Sequence, residues 1–294
     1  MKSKRLKLWI EGARLRTLPL AIAPVAIGAG AADSVQAFDL TLTLLALSVA
    51  LFLQIGVNYA NDYSDGVRGT DDYRVGPLRL TGSKSVRPEA VKLAAFAFFG
   101  LAAASGLAIV LITGMFWLIA VGFAAIVAAW FYTGGKNPYG YAGLGELAVF
   151  VFFGLVATIG TTYIQVGFIE FNAVLGGIAS GLFASAVLMV NNIRDIETDK
   201  LASKKTLAVM LGKKFATALF LLMIWSPFVI LAFFTLLYPA TLMGFLSLLL
   251  VAPATLIVLT AKSAKELILV LKLTSFASLA YALALSAGLF IVFF

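Results

Sequence analysis

The chain has 294 residues, 62% of them hydrophobic and only 12% charged. A soluble domain averages about 45–50% apolar and about 25% charged residues, so a water-facing globule is excluded and much of the surface must meet lipid. Cysteine and histidine are absent, which removes disulfides, thiol nucleophiles, imidazole acid–base chemistry and soft metal sites. Any metal must be held by oxygen, which points to a hard cation such as magnesium. The net charge of +8 is read as basic loops that set membrane topology rather than as a nucleic-acid surface.

A bilayer core is crossed by about 20 apolar residues. The basic stretch 1–16 leads into an apolar segment, 18–32, that is long and lacks a convincing cleavage site, so it is read as the first span and not as a signal peptide. Nine spans are expected, at about 15–33, 40–60, 90–112, 115–133, 145–165, 171–190, 214–237, 240–261 and 267–293. The fold class is therefore all-α and polytopic, with residues 1–294 as one transmembrane domain. The connections alternate in character. All 22 Lys and Arg lie in or near the N-terminus, 61–89, 134–144, 191–213 and 262–266. The other set carries only acidic residues, Asp39 and Glu170 with Asp33 at its border. This bias places the N-terminus and the long loops in the cytoplasm and the C-terminus outside.

The loop after span 2 reads "NYANDYSDGVRGTDDYRVGPLRLTGSKSVRP". Asn61 and Asp65 are four residues apart, as are Asn58 and Asp62, so each pair shares a face if the helix continues. Asp71 and Asp72 follow after Gly66 and Gly69. The loop after span 6 reads "NNIRDIETDK". Asn191, Asp195 and Asp199 form one oxygen-bearing stripe there, with Asn192 beside it. Both loops open with Asn and Asp at the end of an apolar helix, a weak internal repeat whose halves would converge on one site. Anions are disfavoured at a helix C-terminus, and two facing carboxylate stripes repel near lipid. A divalent cation relieves both costs. Magnesium commonly uses one or two carboxylates plus substrate phosphates, and Arg68, Arg79, Lys84, Arg194, Lys204 and Lys205 are placed to meet phosphate oxygens. The expectation is a diphosphate held through magnesium at the mouth of a membrane cavity. The third basic loop, "FYTGGKNPYGYAGLGE", sets Tyr132 and Lys136 four apart, and these two with Glu146 are candidates for the same mouth. Tyr139 and Tyr141 are read as an interfacial aromatic belt.

These stretches, with "ARLRTLPLAIAPVAIGAG" at span 1, resemble the signatures of the intramembrane aromatic prenyltransferases, the UbiA superfamily. The likeness is strongest to its menaquinone branch, which prenylates 1,4-dihydroxy-2-naphthoate. The second motif matches directly through Asp195 and Asp199. The first departs from Asn-x3-Asp-x3-Asp: Asn61 and Asp65 match, and the third ligand is left between Asp71 and Asp72, with Asp71 the nearer. The resemblance implies nine helices around a central cavity open to the cytoplasm, two magnesium ions and a polyprenyl diphosphate. It implies Asn61, Asp65, Asp71, Asn191, Asp195 and Asp199 as metal ligands, with Asp65, Asp195, Tyr132 and Lys136 in the catalytic machinery. Loss of diphosphate leaves an allylic cation, which the Tyr132 ring face would shield, and the naphthoate ring attacks it with loss of carbon dioxide. Arg14, Arg16 and Asn58 are candidates for the aromatic substrate. Membrane lipid is the expected surrounding, with no nucleic acid and no obligate protein partner. Two alternatives stand beside this reading. One is the same chemistry on another acceptor such as 4-hydroxybenzoate. The other is a small-molecule transporter, which would place its ionisable residues nearer the bilayer midplane.

Overall fold

All regular secondary structure among the described residues of the computed structural model, 2–70 and 79–291, is helical. Twelve α-helices follow in order: α1 Lys2–Ala13, α2 Pro19–Asp33, α3 Leu40–Val67, α4 Pro88–Thr113, α5 Leu118–Phe131, α6 Gly145–Val149, α7 Ala157–Val166, α8 Phe171–Arg194, α9 Ile196–Leu201, α10 Leu207–Leu237, α11 Leu248–Thr260 and α12 Leu267–Phe290. A π-helical segment, Phe150–Val156, joins α6 to α7, and a 3-10 segment, Pro239–Ser247, leads into α11. Among the described residues seven helices are long and apolar enough to cross a membrane, so the chain is an integral membrane protein. The remaining two expected spans correspond to a bent pair, Leu6–Thr17 with Pro19–Asp33, and to α5, whose 14 residues fall short of a full crossing.

Local chemistry sets the breaks. Pro88 opens α4 at a position whose N–H has no helical partner in any case. Asp39, Glu170 and Thr206 cap α3, α8 and α10 by accepting from Leu42, Ala173 and Val209. Gly212, at φ 75°, interrupts α10 and separates a loop helix from the span expected to begin near residue 214. Between α1 and α2 the chain turns by 47°. Arg14 takes the left-handed conformation there (φ 54°), Leu15–Thr17 forms a 3-10 turn, and Pro19 starts α2. A non-glycine residue in that region costs about 1 kcal/mol or more, so its neighbours must hold it.

Side chains facing lipid are large and apolar, such as Leu236 and Leu249, 81% and 75% exposed. Inside, one core gathers α8, α10, α11 and α12 around Phe183, Phe220, Phe234 and Tyr281. A second joins α3 and α4 through Tyr59, Phe99 and Val91 and takes in Leu80 from the loop between them. With lipid outside, helices gain little from hydrophobicity and much from close contact. Gly154 meets Gly181 so closely that a Cβ on Gly154 would stand 2.5 Å from the Gly181 Cα.

Candidate functional site

A cavity of about 620 Å³ runs between the helices. Most of its wall is apolar, including Leu20, Val25, Val49, Leu53 and Phe153, while polar groups collect at one end. There α3 stays helical through Val67, so Asn61 and Asp65, expected on one face from their spacing, both line the cavity, and Asn58 joins them from the preceding turn. Opposite them α8 delivers Asn191 and Asn192. Asp195 joins α8 to α9, and Asp199 follows on α9. The expected stripe survives that junction because the Asp195 and Asp199 amides donate in turn to the Asn191 and Asp195 carbonyls, at 3.2 and 2.8 Å. All three stripe residues line the cavity.

The acids stand beside cations. Arg79 Nη2 lies 3.5 Å from Asp65 Oδ2, and Lys204 Nζ lies 3.7 Å from Asp199 Oδ1. Arg194 donates to both oxygens of Asp195, Nε to Oδ1 at 2.7 Å and Nη2 to Oδ2 at 2.5 Å. Arg79 and Lys204 line the cavity. So do Arg14, Arg16 and Tyr132, whose ring meets that of Tyr139 edge-on.

Other expected residues stand elsewhere. Arg68 turns away and donates to the carbonyls of Thr133 and Gly135, bracing the third loop. Lys84 sits exposed in a turn at φ 57°. Lys136 is exposed beyond the Gly134–Gly135 turn. Lys205 is exposed at its side chain, and its backbone N–H donates to the Tyr141 carbonyl at 3.1 Å. Arg194 is buried behind Asp195 and does not reach the cavity wall. Asp71 and Asp72 fall outside the described residues.

Tyr141 overturns its expected place in an aromatic belt. Its hydroxyl donates to Asp65 Oδ1 at 2.8 Å, and Arg68 and Lys204 lie over its ring at 5.3 and 5.2 Å. Burial, reinforced by the Asp65 charge, raises its phenol above the ordinary value, so it remains a donor. Burial pushes Tyr139 up to about 12, and its hydroxyl donates to the Ala128 carbonyl at 2.8 Å. Thr133 donates to Asn61 Oδ1 at 2.8 Å. Asn192 donates to Glu146 Oε1 at 2.9 Å, tying the third loop's Glu to the second motif. Asp62 faces away from the cavity and accepts the N–H groups of Leu80 and Thr81, both at 2.8 Å. No local spacing announces these contacts, since each pairs residues from different loops or helices.

Among the described residues no three acidic side chains stand together as a metal cage. Magnesium shared with a phosphate ligand needs only one or two carboxylates from the protein. Asn61 and Asp65 from α3, and Asn191, Asp195 and Asp199 from α8 and α9, all offer oxygen donors to the same cavity. The donor set therefore fits.

The pattern of the UbiA prenyltransferase family matches residues 21–276. A 1,4-dihydroxy-2-naphthoate octaprenyltransferase of Mycobacterium tuberculosis is 47% identical over 281 residues, 96% of each chain. One of Escherichia coli is 40% identical over 251 residues, 83% of this chain and 82% of that one. A solved UbiA homolog from Archaeoglobus fulgidus bound to GPP and Mg2+ shares the fold with a TM-score of 0.67 at 17% identity, covering 95% of this chain and 99% of the other.

Proposed function

The chain belongs to the UbiA prenyltransferase family, and on that premise we propose that it moves a polyprenyl group from polyprenyl diphosphate to 1,4-dihydroxy-2-naphthoate. Diphosphate and carbon dioxide leave, giving the demethylmenaquinone skeleton of menaquinone biosynthesis. The observation that carries this reading is the polarity of one cavity. Its long apolar wall suits a hydrocarbon tail, while carboxylates, amides and two cations meet at one end to take a diphosphate.

Asn61 and Asp65 would hold one magnesium ion and Asn191, Asp195 and Asp199 a second, each shared with the diphosphate. Bound there, the metal supplies charge stabilisation for the departing oxygens. Arg79 and Lys204 do the same from the protein, preorganised where negative charge develops. The C–O bond breaks with its electron pair going to diphosphate. The apolar wall keeps water from the allylic cation, and the Tyr132 ring face stabilises it. The electron-rich ring then forms the new C–C bond and releases its carboxyl group. Arg14 and Arg16, which line the cavity, would pair with that carboxylate before it leaves. The distribution of Lys and Arg supports a cell-membrane protein with its N-terminus and motif loops in the cytoplasm.

The test is incubation of purified protein in detergent with magnesium, a polyprenyl diphosphate and 1,4-dihydroxy-2-naphthoate. A prenylated, decarboxylated product is expected. Its absence, with product from 4-hydroxybenzoate instead, refutes the naphthoate assignment. Asp65→Ala and Asp195→Ala should each abolish turnover while the protein stays folded, and full activity in both would remove the metal site.

A further inference from the structure

We propose that Gln54 recognises a ring hydroxyl of the aromatic acceptor, through its side-chain oxygen, and so helps select which arene is prenylated. The inference rests on the proposed function for the acceptor's class. Its support is a hydrogen-bond network whose proton count fixes the direction of one amide.

Thr17 lies in the turn between α1 and α2. Its hydroxyl donates its single proton to the Arg14 carbonyl at 2.9 Å. It must therefore be the acceptor in its two other contacts, from Gln54 Nε2 at 2.9 Å and Asn58 Nδ2 at 3.1 Å. A hydroxyl has one donor and two acceptor positions, so Thr17 is saturated. Asn58 Nδ2 also faces the Ala13 carbonyl at 3.0 Å, which only a donor can satisfy. The amide of Gln54 is thereby locked with its nitrogen toward Thr17 and its oxygen the other way.

That oxygen is buried, and no partner meets it among the described residues. The whole residue is only 6% exposed and lines the cavity. A buried acceptor without a donor is unfavourable, and here its orientation cannot reverse without breaking the Thr17 bond. Beside the same turn, Arg14 Nη2 is a buried donor in the cavity wall that likewise has no partner among the described residues. The cavity lining thus includes a residue with an unmet acceptor, Gln54, bonded to Thr17, and one with an unmet donor, Arg14, whose carbonyl accepts from Thr17.

The choice of ligand follows by chemistry. Gln54 stands seven residues before Asn61 on α3, about 10 Å farther into the membrane at a helical rise of about 1.5 Å per residue. A prenyl tail has no polar hydrogen to offer. A diphosphate presents acceptors, which an amide oxygen repels. The hydroxyarene is the reactant that carries O–H donors, and a hydroxyl near a carboxylate complements the Gln54 oxygen and the Arg14 guanidinium together. Gln54 touches substrate in this arrangement, whereas Thr17 and Asn58 are positioning residues acting through it and through Arg14.

The experiment pairs a protein change with a substrate change. Purified wild type and Gln54→Leu are assayed with 1,4-dihydroxy-2-naphthoate. 1-Hydroxy-2-naphthoate and 4-hydroxy-2-naphthoate, each lacking one hydroxyl, serve as competitive inhibitors so that ring reactivity does not enter. In wild type the analogue lacking the recognised hydroxyl should bind about tenfold more weakly than the one keeping it. Gln54→Leu should weaken the dihydroxy compound and the retaining analogue about tenfold, leave the other analogue unchanged, and leave the KM for polyprenyl diphosphate unchanged. Equal weakening of all three arenes, or none, overturns the proposal, because a purely structural Gln54 cannot tell the hydroxyls apart. If Gln54→Leu fails to fold, wild type alone decides, since equal affinity for the two analogues also refutes it. If wild type prenylates a different hydroxyarene, the naphthoate reading falls. The same cycle on that arene and its deoxy analogue then decides Gln54 separately.

Discussion

Asp62→Ala tests how the first motif is held. Asp62 is fully buried, and its two oxygens accept the N–H groups of Leu80 and Thr81 at 2.8 Å each. These bonds fix residues 79–81 against α3, where Arg79 enters the cavity beside Asp65. A hydrogen bond to a charged group contributes about 1.5–3 kcal/mol, so two represent about 3–6 kcal/mol. Relief from burying the carboxylate offsets part of this and brings the net toward the lower figure. About 3 kcal/mol still corresponds to a rise of roughly 100-fold in the local opening equilibrium. Amide hydrogen exchange read by mass spectrometry across residues 79–86 should accelerate by that factor. The KM for polyprenyl diphosphate should rise as Arg79 loses its anchor. Asp62→Asn keeps one acceptor but turns an NH2 toward the other N–H, and should fall between wild type and Ala. Unchanged exchange at Leu80 and Thr81 together with an unchanged KM would refute the reasoning.

Tyr141→Phe removes the donor to Asp65 Oδ1, and kcat/KM for polyprenyl diphosphate should drop about tenfold; wild-type kinetics would show that the contact carries no function. The raised phenol pKa of Tyr141 favours the neutral form in the fold, so its stabilisation is present below the ordinary value of 10.0 and is lost only as pH rises through the raised one. The stability difference between wild type and Tyr141→Phe should therefore stay constant between about pH 7 and 9. Gly154→Ala forces a Cβ to 2.5 Å from the Gly181 Cα, which should cost about 1–3 kcal/mol and lower the melting temperature in detergent. Gly100→Ala, with open space at its Cβ, is the matched control and should not destabilise.

The parts of the site visible in the sequence are those that a helix period brings together. Asn61 with Asp65, and Asn191 with Asp195 and Asp199, needed only the rule that residues four apart share a face; α3 continues far enough to apply it, and across the α8–α9 junction the backbone bonds of Asp195 and Asp199 preserve the spacing. The same rule put Asn58 with Asp62 and was misleading there, because residues 79–81 pack against α3 and claim Asp62 for their N–H groups. Arg68 could not be placed by charge alone. Two loop carbonyls lie within its reach and satisfy its donors before any phosphate is needed. Tyr141 looked like a lipid-interface tyrosine because its partner, Asp65, is 76 residues away in sequence. Among the spans, hydropathy located the apolar segments. It carried no signal for the π-helical turn at Phe150–Val156, the left-handed Arg14 or the break at Gly212, since these are backbone events set by packing.

The repeat of Asn and Asp at the ends of α3 and α8 implies two equivalent halves, yet the chain secures them by different means. The first half depends on Asp62 and the backbone of residues 80–81. The second uses the Arg194–Asp195 pair, and Thr206 both caps α10 and lies 3.5 Å from Asp199. What joins them is the loop between α5 and α6. Arg68 grips its carbonyls from the first half, and Thr133 donates to Asn61. The carbonyl of Tyr141 accepts from Lys205 of the second half while its hydroxyl reaches Asp65 of the first. Glu146, at the start of α6, takes Asn192. A loop with no acid directed into the cavity thus fixes the separation of two acidic motifs. That separation decides whether both can reach one diphosphate. Substitutions along residues 133–146 should accordingly impair turnover through the spacing of the two motifs, even where the altered side chain, like Glu146, does not itself line the cavity.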